Sequence, residues 1–350
     1  MRFKLLGQSG VRVSEICLGT MTFGPKWGWG ASKEDSRQIF DNFVDEGGNF
    51  IDTSCNYTDG ESESFIGEFI LGDRDRYVIA TKYTLHDYRY RSDPNAGGNS
   101  RKNLIRSLKG SLERLKTDYV DILYLHMWDY FTPIKEIMQA MTDVVRAGKV
   151  HYIGISDTPA WIVARANTMA EFRGLEPFVV YQFPYSLAYR HAERSTIPLC
   201  KNLDLAMAVF GVLRSGLFTG KYTRNIPDKG RLTPDHWGKP SEGAIQIARE
   251  VDTIADEIGC PSSHVAINWI RNQEKGVFIP ILGATRVSQL QENLSCLDSK
   301  LSTEHRNRLD KKLTELTKFE LGFAKGWLRG THDLVYGDTY ELVDNHRPYE

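Results

Sequence analysis

Tyr119-Val-Asp-Ile-Leu-Tyr-Leu-His126 is an apolar run typical of a strand that is buried on both faces, and it ends on a histidine. Two earlier runs have the same form: Asn49-Phe-Ile-Asp52 ends on an aspartate, and Tyr77-Val-Ile-Ala-Thr-Lys82 ends on a lysine. Tyr57 follows the first of these runs. Barrel enzymes place their chemistry at the carboxyl ends of parallel strands. The pattern therefore predicts four candidate catalytic residues: Asp52, Tyr57, Lys82 and His126.

Apolar runs recur along the chain and alternate with segments of helical periodicity. This alternation indicates a parallel sheet, because parallel strands need crossover connections. Eight runs favour a closed barrel over an open sheet. The predicted strands are Glu15–Gly19, Phe50–Ile51, Val78–Ala80, Val120–Leu125, Val150–Ile155, Pro177–Gln182, Leu205–Phe210 and Gly276–Ile281, and the clearest helical segments are Lys33–Glu46, Asn103–Leu115, Pro133–Ala147 and Glu242–Ile258.

The predicted fold class is therefore α/β, a TIM (β/α)8 barrel preceded by an N-terminal β-hairpin that turns at Gly7–Gly10. We expect one domain over residues 1–350, with a core at about 1–297 and a C-terminal helix and tail at 298–350. Two long polar loops, His86–Asn99 and Thr223–Ser241, would overhang the catalytic face. The aromatic-rich tail Phe319–Glu350 is expected to pack on the outer helices rather than to close the pocket.

Charge and cysteine content limit the functional class. The 350 residues contain 44 Lys plus Arg against 45 Asp plus Glu, so no overall field favours nucleic acid or an acidic membrane. No apolar run approaches the length of a membrane span. The five cysteines are scattered without CxxC pairs, which argues for reduced thiols in the cytoplasm and against a structural metal site. Nothing in the sequence decides between a monomer and a homo-oligomer.

The usual nucleotide-binding fingerprints are missing. Gly28-Trp-Gly30 lacks the third glycine of a dinucleotide fold, and Gly216–Lys221 is one residue short of a phosphate-binding P-loop. A nucleotide would therefore be held in another way. The HExxH zinc pattern and the GxSxG nucleophile turn are also absent from the sequence, so a barrel hydrolase or isomerase has no support.

A series of motifs over residues 1–297 resembles the aldo-keto reductase family. The resemblance implies a TIM barrel that binds NADP(H) in an extended pose and reduces aldehydes or ketones to alcohols. The matching motifs are Leu18-Gly-Thr-Met-Thr-Phe-Gly24, Phe50-Ile-Asp-Thr-Ser-Cys-Asn-Tyr57, Glu61-Ser-Glu63, Ala80-Thr-Lys82, Leu125-His126, Gly154-Ile-Ser-Asp157, Gln182-Phe-Pro-Tyr185, Gly216-Leu-Phe-Thr-Gly-Lys-Tyr222, Gly283-Ala-Thr-Arg286 and Gln289-Leu-Gln-Glu-Asn293.

The four candidate residues also make chemical sense on their own. A carbonyl that accepts hydride becomes an alkoxide and needs a proton donor. Tyr57 would be that acid, and the ammonium of Lys82 would lower its pKa from about 10. Asp52 would hold Lys82, and His126 would orient and polarise the substrate oxygen. Singly, each residue has an ordinary structural interpretation, such as a helix cap, a solvated amine or a packed ring; their joint spacing favours the catalytic one.

The resemblance also implies cofactor contacts near the nicotinamide and the pyrophosphate. Ser156 and Gln182 would bind the carboxamide, with Asp157 where the family usually has asparagine. Phe210 would stack on the ring, and Gly211 lies where the family often has a hydroxyl. The other residues that carry over are Gly19, Thr20, Met21 and Asp52 near the opening and Leu213, Ser215 and Lys221 near the pyrophosphate.

Residues 283–293 resemble the adenosine end of the family's cofactor site. Gly283 and Thr285 would open a helix whose amino terminus attracts phosphate, and Arg286 would favour NADPH over NADH by pairing with its 2′-phosphate. Gln289, Glu292 and Asn293 would face adenine. A capped surface helix with a solvated arginine is the alternative.

Substrate choice is weakly constrained, because it depends on loops. Trp27 and Trp128 follow predicted strands and could form the wall of a pocket for an apolar or aromatic aldehyde, together with the substrate-facing Tyr57 and His126. Rim packing explains the two tryptophans equally well. A second function class also stays open, because potassium-channel β-subunits resemble this family and use nucleotide occupancy for regulation.

Overall fold

The computed structural model describes residues 1–85, 92–224 and 240–317, with side chains described as far as residue 312. It begins with a two-stranded antiparallel hairpin, β1 (Phe3–Leu5) and β2 (Arg12–Ser14), in which Phe3 pairs with Ser14. The predicted hairpin is therefore confirmed.

Eight parallel strands close into a barrel, which confirms the predicted fold class. Around the barrel, each strand pairs with its sequence neighbour, and the last strand pairs with the first. The strands are β3 (Cys17–Gly19), β4 (Phe50–Asp52), β5 (Val78–Tyr83), β6 (Val120–Leu125), β7 (Val150–Ser156), β8 (Phe178–Pro184), β9 (Ala206–Phe210) and β10 (Phe278–Leu282).

Helices pack around the barrel and connect its strands. The first one shows why they form: Ser32 caps it by accepting from the N–H of Asp35, and Ile39, Phe40 and Phe43 face the core. The helices are α1 (Lys33–Asp45), α2 (Glu61–Phe69), α3 (Arg101–Leu115), α4 (Ile134–Arg146), α5 (Ala160–Arg173), α6 (Thr196–Asn202), α7 (Glu242–Ile258), α8 (Ser262–Arg271), α9 (Val287–Leu294) and α10 (Thr303–Thr317).

The hairpin covers the amino end of the barrel. Leu6 and Val13 are fully buried and belong to the cluster that fills the barrel interior, with Phe50, Ile122 and Ile279. Side chains therefore occupy the barrel from its amino end upward, and the space for chemistry lies at the carboxyl ends of the strands.

Parts of three predictions lie outside the described residues. These are residues 86–91 of the first long loop, residues 225–239 of the second, and the whole of the tail from residue 319. The division into one domain with a core at about 1–297 stays a prediction. In the described part of the chain, no helix combines the length and the apolar character that crossing a bilayer requires.

Candidate active site

Asp52, Tyr57 and Lys82 meet at the carboxyl end of the barrel. The Nζ of Lys82 donates to Asp52 Oδ2 at 2.5 Å, to the carbonyl of Thr53 at 2.7 Å and to the Tyr57 hydroxyl at 3.1 Å. All three ammonium protons are thus used. Lys82 is fully buried and Asp52 is 2% exposed. A buried ion pair of this kind points a cation at a phenol.

The proton of the Tyr57 hydroxyl has no acceptor in the described part of the protein. Its oxygen accepts from Lys82, so the O–H bond is available to a ligand. Tyr57 begins a tight turn in which Thr58 and Asp59 have left-handed backbone angles. The Thr58 hydroxyl fixes this turn by donating to the carbonyl of Phe23 at 2.7 Å. The phenol is therefore held rigidly, at 9% exposure, with its proton free.

Burial changes the electrostatics expected for this pair. Burial raises the pKa of Tyr57, and the nearby ammonium of Lys82 offsets only part of the rise. The prediction that the Tyr57 pKa lies below its usual value is therefore wrong for the protein without ligand. The loss of hydration on burial raises the pKa by more than the charge of Lys82 lowers it. Burial also opposes the charge on Lys82, but Asp52 and Tyr57 outweigh it and raise the lysine pKa. The pair at neutral pH is a protonated phenol beside a charged amine.

His126 follows β6 and faces Tyr57, with ring centroids 6.1 Å apart and ring planes at 78°. Burial, with a contribution from Lys82, lowers the pKa of His126 well below its usual value, so the ring is neutral. Its Nδ1 lies 3.2 Å from the hydroxyl of Ser54, which in turn donates to Asn56 Oδ1 at 2.7 Å. Ser54 is a residue that the sequence analysis missed. Its position between Asp52 and Tyr57 was the available signal.

Gln182 links the ion pair to Ser156, and both Gln182 and Ser156 are predicted nicotinamide contacts. Its Nε2 donates to Asp52 Oδ1 at 2.8 Å, so Asp52 is held through both oxygens. Gln182 pairs with Ser156 across β7 and β8. The hydroxyl of Ser156 is buried and has no hydrogen-bond partner among the described residues. An unsatisfied hydroxyl next to this glutamine suits a ligand that carries an amide.

Gly19 and Thr20, at the carboxyl end of the first barrel strand, make close contacts within the protein. A Cβ at Gly19 would lie 2.7 Å from the Ile281 side chain, so any larger residue there would have to displace Ile281. The Thr20 hydroxyl donates to the carbonyl of Asp52 at 3.0 Å and accepts from Ser62 at 2.8 Å. Thr20 therefore positions Asp52, and its neighbour Met21 is partly exposed.

The segment after β9 has an unusual backbone. Arg214, Ser215 and Gly216 have φ of 47°, 55° and 89° in succession. Gly216 also adjoins the Lys221 side chain, since a Cβ there would lie 2.9 Å from Lys221 Cε. The predicted cofactor residues of this segment, Phe210, Gly211, Leu213, Ser215 and Lys221, are all at least partly exposed.

The residues predicted to bind the adenosine end differ from the expectation in where their helix begins. α9 begins at Val287 with Arg286 at its N-cap, later than the expected start at Gly283 and Thr285. The backbone N–H and the hydroxyl of Thr285 both donate to Gln289 Oε1, at 3.0 and 3.1 Å. Arg286 is exposed, and its contact with a cofactor phosphate stays a prediction.

The three residues predicted to face adenine differ in how exposed their side chains are. Gln289 and Glu292 are exposed, whereas Asn293 is 6% exposed and belongs to the buried face. Glu292 also accepts from Ser263 at 3.2 Å. The three residues thus do not share one open face, because α9 packs against α1 and α8 and buries Asn293 with Leu290 and Leu294.

The two tryptophans lie at the rim. Trp27 is partly exposed and donates to Asp59 at 3.2 Å, in the turn that carries Tyr57. Trp128 is partly exposed, and its backbone N–H donates to the backbone carbonyl of Asp157 at 3.4 Å. The ring of Trp27 therefore borders the turn that carries Tyr57, and the backbone of Trp128 adjoins Asp157. Their contact with substrate stays a prediction.

Comparison with known proteins identifies the family of this chain. A sequence model of the Aldo/keto reductase family matches residues 15–314. An aryl-alcohol dehydrogenase of Pestalotiopsis microspora is 38% identical over 95% of this chain and 88% of its own length. A norsolorinic acid reductase of Aspergillus flavus is 36% identical (95% and 85%), and an NADP(+) aryl-alcohol dehydrogenase of Phanerodontia chrysosporium is 38% identical (95% and 89%). Aldo-keto reductases use NADP(H), which confirms the predicted cofactor class. The chain belongs to the aldo-keto reductase family.

Proposed function

We propose that this protein is an NADPH-dependent reductase of aldehydes and ketones, aromatic aldehydes foremost, with Tyr57 as the proton donor. The observation that carries the proposal is the 3.1 Å contact between Lys82 Nζ and the Tyr57 hydroxyl, with the phenolic proton left free. The names of the relatives support an aryl substrate, since an aryl-alcohol dehydrogenase interconverts an aromatic alcohol and its carbonyl compound.

NADPH, when bound, would supply the hydride for the carbonyl carbon. Tyr57 gives its proton to the carbonyl oxygen as negative charge develops there. Lys82 stabilises the phenolate that remains, and Asp52 keeps Lys82 charged and in place. His126, held neutral by burial, does not compete with Tyr57 as the acid. In the tautomer with its proton on Nε2, its Nδ1 accepts from Ser54, whose hydroxyl then turns away from Asn56, and Nε2 can donate one hydrogen bond to the same oxygen.

The chain offers a consistent set of cofactor contacts. Ser156 and Gln182 would bind the nicotinamide carboxamide, and Phe210 would cover the ring. The segment after β9 would hold the pyrophosphate. The remaining contacts would come from Gly19 and Met21 at the opening, Leu213, Ser215 and Lys221 beside the phosphates, and Gly283, Thr285, Arg286, Gln289 and Glu292 at the adenosine end.

The rival function, a nucleotide sensor with little turnover, is not favoured. The relatives named above are dehydrogenases and reductases. The acid, its ammonium partner and a neutral histidine also form a complete site for turnover.

Steady-state assays test the proposal directly. NADPH absorbance is followed with 4-nitrobenzaldehyde, with benzaldehyde and with a short aliphatic aldehyde, and NADP+ reduction is followed with benzyl alcohol. We expect turnover in both directions and the highest kcat/KM for the aromatic aldehydes. Tight NADPH binding without oxidation by any of these carbonyl compounds would refute the enzyme assignment.

Arg286→Ala should weaken NADPH binding and leave NADH binding unchanged. A charge-assisted contact with an exposed 2′-phosphate accounts for about a tenfold rise in Kd. Titration of both cofactors by quenching of tryptophan fluorescence measures the effect. Arg12→Ala, which removes an exposed arginine at the opposite end of the barrel, is the matched control. Equal losses for NADPH and NADH would mean that Arg286 does not read the 2′-phosphate.

Trp128→Ala should raise KM for aromatic aldehydes about three- to tenfold and leave aliphatic KM unchanged, because a ring–ring contact is lost. The matched control is Trp161→Ala, which removes a ring that is 63% exposed on α5. Steady-state kinetics with benzaldehyde and butanal compare the variants. A uniform change for both substrates would indicate rim packing.

A further inference from the structure

Asp157 is a half-buried carboxylate that the proposed mechanism leaves unused. It follows Ser156 at the carboxyl end of β7, with a left-handed φ of 36°. Its N–H donates to the carbonyl of Gln182 at 3.3 Å, and its carbonyl accepts from Trp128. Within residues 1–85, 92–224 and 240–317, its carboxylate oxygens make no hydrogen bond or ion pair. The backbone is thus fixed by two neighbouring elements while the acidic group has no protein partner.

The charged surroundings of Asp157 belong to the catalytic site. Its carboxylate interacts through space with the ammonium of Lys82, and it acts on the phenols of Tyr57 and Tyr181. Lys82 has no proton left for it, because all three are donated elsewhere. Burial raises the pKa of Asp157 to about 6, with Lys82 opposing the rise. The group is therefore negatively charged at neutral pH.

The reaction geometry brings the nicotinamide ring into the same region. The carbonyl oxygen must lie against the Tyr57 hydroxyl, and the reacting carbon must lie about 3–3.5 Å from the hydride donor. The ring therefore lies within a few ångströms of the phenol whose pKa Asp157 influences. The ring is positively charged when oxidised and neutral when reduced, so a nearby fixed charge interacts differently with the two forms.

We propose that the carboxylate of Asp157 lies beside the nicotinamide ring and favours binding of NADP+ over NADPH. The charge of Asp157 thereby sets the balance between the two cofactor forms. The inference rests on the proposed function. It assigns the acidic side chain a purpose that a neutral asparagine at this position would not serve, because an amide carries no net charge.

Asp157→Asn should raise the ratio of the Kd for NADP+ to the Kd for NADPH by about tenfold, the order expected for one pair of charges near a partly exposed site. Asparagine has the same shape and tolerates a left-handed backbone, so the fold should be retained. In the wild-type protein, the preference should be present above the Asp157 pKa and fade as pH falls through about 6. In the variant the ratio should be flat with pH.

Other groups should not produce this pH dependence. His126 stays neutral because its pKa is lowered, and Lys82 stays charged because its pKa is raised. Tyr57 and Tyr181 stay protonated because their pKa values are raised. The 2′-phosphate of the cofactor also titrates near pH 6, but both cofactor forms carry it and it cancels in the ratio.

Calorimetric titrations of NADP+ and NADPH into the wild type, Asp157→Asn and Asp204→Asn test the proposal from about pH 5 to about pH 8. Asp204 is the matched control, because it is exposed, has a φ of 48° and precedes β9 at the far end of the barrel. A raised, pH-independent ratio in Asp157→Asn alone supports the proposal. A ratio that equals the wild type at every pH overturns it. If the wild type binds neither cofactor, the proposed function fails first.

Discussion

Replacing Tyr57 by phenylalanine is expected to reduce kcat for carbonyl reduction by about 10²- to 10⁴-fold, the range that a positioned general acid contributes. The variant loses only the hydroxyl that accepts from Lys82 at 3.1 Å. Lys82 keeps its contacts with Asp52 and the carbonyl of Thr53, so the ion pair survives. Binding of NADPH and the thermal midpoint should therefore change little. Stopped-flow and steady-state assays with 4-nitrobenzaldehyde measure the loss.

Tyr119→Phe is a matched control for Tyr57→Phe. It deletes a phenolic hydroxyl that donates to Asp75 at 2.6 Å, just before β6 at the amino end of the barrel. This variant should retain the wild-type kcat. A Tyr57→Phe enzyme with kcat within threefold of the wild type would remove Tyr57 from the role of acid, whatever the control shows.

Replacing Lys82 by methionine should both inactivate the enzyme and destabilise it by about 3–5 kcal/mol, as is typical when one partner of a buried ion pair is removed. Asp52, 2% exposed, would keep only the amide of Gln182 as a side-chain donor, and the carbonyl of Thr53 would lose its ammonium partner. Chemical denaturation measures the free energy of unfolding, and carbonyl reduction is assayed in parallel.

The double variant Asp52→Asn/Lys82→Met separates stability from catalysis. Neutralising Asp52 removes the uncompensated buried charge, so the double variant should regain most of the lost stability. It should remain inactive, because no cation is left to stabilise the phenolate of Tyr57. A double variant less stable than Lys82→Met would show that the two residues are not an energetically coupled pair.

The sequence was informative where polar residues interrupt apolar runs. Asp52 ends β4, Lys82 is the penultimate residue of β5 and His126 follows β6. The parallel topology then brings their side chains to one end of the barrel. No tertiary detail was needed for this. The hairpin and the barrel followed from spacing alone, because parallel neighbours need helical crossovers.

Local sequence could not reveal the balance of burial against charge at Tyr57. Lys82 lowers the pKa of the phenol, but the net shift depends on how much water the fold excludes from the phenol. Neighbouring residues in the sequence do not specify that burial. The link from Ser54 to His126 was missed for a similar reason, since it joins side chains from two different strand ends.

The adenosine end shows a third limit. Helical spacing places Gln289, Glu292 and Asn293 on neighbouring positions, but packing decides which side of α9 is covered. Asn293 turns out to be buried and Gln289 exposed. Periodicity identifies a surface of a helix, and only the tertiary contacts show whether that surface meets solvent or, as here, the neighbouring helices α1 and α8.

The hairpin under the barrel also determines how isotope exchange proceeds. Leu6 and Val13 close the amino end, and the interior above them is filled by apolar side chains. In the described part of the chain, this filling blocks the amino end, so deuterium from the solvent is expected to reach the ammonium of Lys82 from the carboxyl end, where Tyr57 lies. A ligand bound at the carboxyl end should slow hydrogen–deuterium exchange at the amine, and the degree of slowing should report how completely that end is covered.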